Sequence, residues 1–204
     1  MITLIDYGGS NLRSVQKAFE SIGADMQIAT QAAEVSRARM LVLPGVGAFG
    51  AGMEALRRQD LIGAIRLRAD QGVPLLGICL GMQFLFESSE EMGDHAGLGL
   101  INGQVVRFPE MGPKIPHMGW NQLLHDGQHP LLNGVSHGAY TYFVHSYYCQ
   151  PLDFTTTIAQ ADYGGPFAAV VGRDNVYGIQ FHPEKSQQVG LQILRNFINM
   201  DRPS

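Results

Sequence analysis

Short, fully apolar runs alternate in the first half of the chain with stretches whose apolar residues recur at helical spacing. "ITLIDY" (2–7) predicts a buried strand closed by a glycine turn. A helix follows from Ser10 or Asn11 to Ile22, with Leu12, Val15, Phe19 and Ile22 on one face and Gly23 as its stop. "MQIAT" (26–30) and "RMLVLPG" (39–45) predict two more strands, and 51–71 predicts a helix that turns Met53, Leu56, Ile62 and Ile65 inward. "VPLLGICLG" (73–81) is a wholly apolar strand entering a glycine turn, and "MQFLFESSEE" (82–91) continues as a helix. Strands buried on both faces that alternate with helices imply a parallel sheet covered on both sides.

The second half carries more strand signal. "GQVVRFP", "YTYFVHSYY", "TTTIAQADY", "FAAVVGRDN" and "VYGIQFHPE" are strand candidates separated by Gly, Pro and Asn turns. The segment 187–200 is an amphipathic helix. The pattern as a whole predicts one α/β domain over 1–204, a mixed and largely parallel sheet flanked by helices with antiparallel additions.

Composition narrows the class. The 204 residues suffice for one sizeable domain, and 45% hydrophobic against 16% charged content is a globular balance. A formal net charge of −4 gives no electrostatic reason to expect nucleic acid or an anionic membrane. Two cysteines make no disulfide framework, the opening "MITLIDYGGS" is not a signal peptide, and no apolar run approaches the roughly 18 residues of a membrane span. A cytoplasmic protein is the expectation.

The chemistry gathers at "GICLGMQ" (77–83). A strand that turns sharply into a helix between two glycines pushes its central side chain, Cys79, out at the sheet edge. The helix N-terminus then lies beside the thiol, and its unpaired N–H groups favour the thiolate. The serine elbow of hydrolases follows the same logic. The N–H of Leu80 is placed to stabilise an oxyanion. Cys149, in an aromatic strand without an elbow, reads as a buried structural thiol.

A cysteine nucleophile needs a base, and the base needs an orienting group. Taken alone, "HPEKS" reads as a surface turn; beside a cysteine elbow, His182 and Glu184 read as that pair. Two residues apart at a strand end, they point to the same side, and Pro183 stiffens the link. "PGVGAFG" (44–50) is the right sort of loop to bring a second N–H, from Val46 or Gly47, toward the nucleophile. His125 and His129 lack a third metal ligand, and "DYGGSN" lacks the pattern of a phosphate loop.

In this order and spacing, "PGVG", "GICLGMQ" and "HPEKS" resemble the class I glutamine amidotransferases over essentially the whole chain. The resemblance implies hydrolysis of glutamine to glutamate and ammonia without cofactor or metal. Cys79 would attack the amide carbon, His182 would protonate the leaving ammonia and later activate water, and Glu184 would orient His182. The N–H groups of Leu80 and of Val46–Gly47 would form the oxyanion hole, and Gly47, Gln83, Ser146 and Tyr147 would line the glutamine pocket.

Further details, "IDYGGSNLRSV", "KIPHMGWN" and "YFVHSYY", are similar to the branch of the family that serves histidine biosynthesis. That likeness implies a heterodimer in which the ammonia passes to a separate cyclase subunit, a (β/α)8 barrel. Its products would be imidazole glycerol phosphate and an aminoimidazole carboxamide ribonucleotide. Asn11, Trp120, Tyr140 and Lys185 would face that partner. The same chemistry in another synthase, or a cysteine hydrolase with the same triad, are the alternatives.

Overall fold

The computed structural model describes residues 1–9 and 11–200. In chain order the elements begin with β1 (Ile2–Ile5), α1 (Leu12–Ser21), β2 (Met26–Ala29), α2 (Ala32–Val35) and β3 (Leu41–Gly45). The helices α3 (Phe49–Arg58) and α4 (Leu61–Asp70) lead to β4 (Leu75–Cys79) and α5 (Leu80–Phe84). Then come β5 (Phe86–Ser89), β6 (His95–Ala96), β7 (Ile101–Arg107), β8 (His117–Leu123), β9 (Ala139–His145) and β10 (Tyr147–Pro151). β11 (Thr157–Asp162), β12 (Pro166–Arg173), β13 (Val176–Ile179) and α6 (Gln187–Asn199) follow.

Seven strands form the main sheet in the order β11-β12-β13-β4-β3-β1-β2. From β2 to β13 every pairing is parallel, and β12 and β11 extend the sheet antiparallel. This is the mixed, largely parallel α/β sheet that the alternation of apolar runs and helices predicts. Side chains of the central strands alternate between two cores. Leu41, Leu43 and Leu75 pack on one face with Phe49 and Phe84, whereas Val42, Leu76 and Ile78 pack on the other with Phe19, Phe181 and Phe197. Both faces are covered, which is why β3 and β4 read as unbroken apolar runs. A four-stranded sheet, β10-β7-β5-β6, and the β8–β9 hairpin stand beside the main sheet.

Four expectations need correction. The helix over 51–71 is two helices, because Asp60 adopts a left-handed φ of 55° and ends the first run. The helix over 82–91 stops at Phe84, and Phe86–Ser89 is extended against β7. Phe84, Leu85 and Phe86 are all fully buried, which a one-sided surface helix does not provide. "YTYFVHSYY" is two strands in different sheets, parted at Ser146. "VYGIQFHPE" is a strand only as far as Ile179, and Pro183–Lys185 is a 3-10 turn.

Because β3, β4 and β13 are parallel neighbours, their carboxyl ends open on one sheet edge, the usual place for a site in such a sheet. Those ends lead respectively to Gly47, Cys79 and His182.

Candidate active site

Cys79 is the last residue of β4 and sits at φ 54°, ψ −112°, a backbone state that non-glycine residues rarely hold. Such a residue costs roughly 1–3 kcal/mol and persists only where its surroundings over-determine it. Here the surroundings are crowded backbone. A Cβ on Gly81 would lie 1.8 Å from the Leu43 carbonyl oxygen, and one on Gly77 would lie 2.5 Å from the Gly81 carbonyl oxygen. The two glycines thus let the turn close down onto β3, and the closed turn holds Cys79 in its strained state. Register pairs Gly45 with Cys79 and Ile179 with Ile78, so the turn is clamped on both sides.

His182 is 3% exposed and donates through Nδ1 to Glu184 Oε1 at 2.8 Å. The pair meets across a 3-10 turn, not along an extended strand as the i, i+2 spacing suggested. The turn is locked to the hairpin: the His182 N–H donates to the Tyr142 carbonyl at 2.9 Å, and the Tyr142 N–H donates to the Ser186 hydroxyl at 3.0 Å, which itself donates to the His182 carbonyl at 2.6 Å. Glu184 Oε1 also accepts from the Asn11 side-chain amide at 2.7 Å. With Nδ1 engaged, Nε2 of His182 is buried and without a hydrogen-bond partner among the described residues, so it is the ring atom free to exchange a proton.

The electrostatics suit a charged imidazole. Burial opposes the charge, but the Cys79 sulfur and the Glu184 carboxylate outweigh it and hold His182 well above the usual histidine range. Glu184 is held below the usual carboxylate range: burial works against its charge, and the bonds from His182 and Asn11 prevail.

One cleft of about 340 Å³ gathers most of the expected residues. Val46, Gly47, Cys79, Leu80, Gln83, Ser146, Tyr147 and His182 all line it. Glu184 stands behind His182. Trp120, Tyr140 and Lys185 lie on a separate surface, where the Lys185 ammonium is 5.6 Å from the Tyr142 ring centre and Trp120 meets the same ring edge-on at 5.9 Å. Trp120 and Tyr140 are 46% and 55% exposed, unusual for large aromatics. Asn11, expected on that surface, has its amide on Glu184. Cys149 is 1% exposed, and burial raises its thiol well above the usual range.

Two polar residues of the cleft wall, Glu91 and His145, and one buried behind it, Gln180, escaped the sequence reading. Glu91 is the one carboxylate among the described lining residues, and its Oε2 accepts from the Phe49 N–H at 2.6 Å. His145 lines the inner wall. Gln180 is fully buried with its amide nitrogen 3.8 Å from Cys79 Sγ. The alternation that linked His182 to Glu184 also reaches back to Gln180.

A strained cysteine at the mouth of a parallel sheet, facing a histidine backed by a carboxylate, is an arrangement for acyl transfer through a thioester. The family model for glutamine amidotransferase class-I matches residues 3–200, and the chain belongs to that family. Among individual relatives it is 52% identical to the imidazole glycerol phosphate synthase subunit HisH of Syntrophotalea carbinolica, over 98% of this chain and 100% of that one. It is 49% identical to the protein of the same name from Geobacillus thermodenitrificans, over 98% and 96% of the two chains. The fold is shared with a crystal structure of a glutamine amidotransferase (TM-score 0.78, 17% identity, 98% and 99% covered) and with PurLQS from Thermotoga maritima (0.77, 20%, 98% and 98%).

Proposed function

We propose that this chain is the glutaminase subunit of an imidazole glycerol phosphate synthase, hydrolysing glutamine and passing ammonia to a separate cyclase. The observation that carries the reading is the convergence of Cys79 and His182 on one cleft with Gln83, Ser146 and Tyr147 around it. Full-length identity of about half to relatives of that name supports the synthase.

The Cys79 thiolate attacks the side-chain amide carbon of glutamine, and the carbonyl oxygen becomes an oxyanion. Backbone N–H groups of Leu80 and of the Val46–Gly47 segment receive that charge. His182, charged and held by Glu184, gives its Nε2 proton to the leaving ammonia. Collapse leaves a thioester, and neutral His182 then takes a proton from water, whose oxygen attacks the same carbon. Glutamate leaves and Cys79 is restored. Glu91 suits the substrate's α-ammonium group because it is the carboxylate in the cleft wall.

The cyclase is a (β/α)8 barrel that docks as a heterodimer on the exposed face carrying Trp120, Tyr140 and Lys185, with Asn11 at its edge. Exposed aromatics beside a cation are typical anchors of such an interface. Lys185 adjoins Glu184, so contact there reaches the triad through one peptide link. Reaction in the cytoplasm follows from this role.

Glutamate release is the test, with the purified chain alone and with a cyclase subunit plus its nucleotide ligand. The expected result is strong stimulation by the liganded partner. Full activity that ignores the cyclase would assign the ammonia to another acceptor enzyme.

A further inference from the structure

A chain of hydrogen bonds runs from the β8–β9 hairpin to the cleft wall, and its two ends fix every proton in it. Asn121 Oδ1 accepts the Gln122 N–H at 2.8 Å, so its Nδ2 is the donor to the Asp162 carbonyl at 2.8 Å and to His117 Nε2 at 3.3 Å. At the far end the Tyr147 carbonyl can only accept, so His145 Nδ1, 2.8 Å away, carries a hydrogen. In neutral His145, Nε2 is then an acceptor, and His117 Nδ1 at 3.0 Å is its donor. His117 Nε2 is left to accept from Asn121, as the other end requires.

The Tyr147 carbonyl takes a second donor, Gln83 Nε2 at 3.0 Å. The same Gln83 nitrogen lies 3.2 Å from Gln180 Oε1, and Gln180 in turn reaches Cys79 Sγ. His117 and His145 are a register pair on the hairpin, 3% and 6% exposed. Phe108, Phe143, Tyr163 and Phe167 enclose them. Burial lowers both histidines, to about 4 and about 3, and the nearby charge of His182 further opposes one on His145.

We propose that His117 and His145 are positioning residues for glutamine, a pair of neutral imidazoles that fixes the Tyr147 carbonyl and, through it, the Gln83 side chain in the cleft wall. The inference rests on the reading of this cleft as the glutamine site, but not on which residue is the nucleophile. A carbonyl held by two donors from different elements cannot swing. Without the His117 donor, His145 is free to turn its ring, and the wall that meets the substrate loosens.

Two measurements test this. In the wild-type protein, imidazole ¹⁵N shifts should report the Nδ1–H tautomer at both His117 and His145, and an Nε2–H tautomer at His145 would overturn the chain. In steady-state glutaminase assays with the activating partner, His117→Phe keeps the aromatic packing and removes the donor. We expect KM for glutamine to rise about tenfold, kcat to stay within about threefold, and alkylation of Cys79 by iodoacetamide to stay within about twofold. His117→Asn, whose amide stands where Nδ1–H stood, should restore most of the lost affinity. Unchanged KM in His117→Phe, or loss of kcat and alkylation together, would refute the positioning role. If His117→Phe does not fold, the wild-type tautomers decide. Correct tautomers in a wild-type protein that releases no glutamate would instead count against the glutaminase reading.

Discussion

His182 and His145 line one cleft, with His117 paired behind His145, and the protons of His182 and of that pair are governed in opposite ways. Burial opposes charge on His182, His145 and His117 alike. His182 has the Glu184 carboxylate on one side and the Cys79 sulfur on the other, and it is held protonated. His145 and His117 have each other, a backbone carbonyl and an aromatic cage, and they stay neutral far below the usual range. Partners, not depth, decide a buried histidine's charge. The charged one suits proton transfer; the neutral pair suits holding a wall in place.

The largest effect expected from breaking this contrast is at Cys79. Cys79→Ala should lower glutamate release by at least about 10³-fold. Ammonia-dependent synthesis by the cyclase should survive, and its loss would contradict a purely glutaminolytic role. Glu184→Gln comes next. It removes the charge that orients and sustains His182, and we expect kcat to fall about 10²–10⁴-fold, by analogy with triad acids. Asn11→Ala is milder. Loss of one charge-assisted bond to Glu184 should cost about tenfold in kcat and move the acid limb of the pH–rate profile to higher pH.

The smallest effect is on stability. His117 folds with a pKa of about 4 against an ordinary 6.5. Below 6.5 the unfolded chain therefore binds protons that the native chain refuses, and stability falls as pH drops from 6.5 toward 4. Glu184, also depressed, adds a further loss only below its ordinary 4.5. His182 is raised, so its contribution is present below 6.5 and fades as pH rises through its folded value. Urea midpoints across this range should decline on the acid side, and His117→Phe should flatten that decline.

How much the sequence revealed varies with the kind of signal. The elbow at Cys79 was legible because two glycines flanking a cysteine at a strand end have few other uses, and the clash each Cβ would meet gives the reason. The His182–Glu184 pair was found by reasoning from an extended strand, yet the contact is made by a 3-10 turn that keeps the same spacing. Glu91 was hidden because 82–91 was read as one helix, which placed it far from the cleft. β8 gave little strand signal: only His117 and Leu123 are buried, and Gly119, Asn121 and Gln122 interrupt any apolar alternation. The link between His117 and His145 joins residues 28 apart and belongs to the hairpin pairing alone.

Labelling by 6-diazo-5-oxo-norleucine, read by peptide mass spectrometry in the presence of the liganded cyclase, tests the central claim most directly, because the chain has only two cysteines, Cys79 and Cys149. One label per chain, on Cys79 alone and blocked by glutamine, is the predicted result. Label on Cys149, or undiminished labelling of the Cys79→Ser protein, would contradict the account.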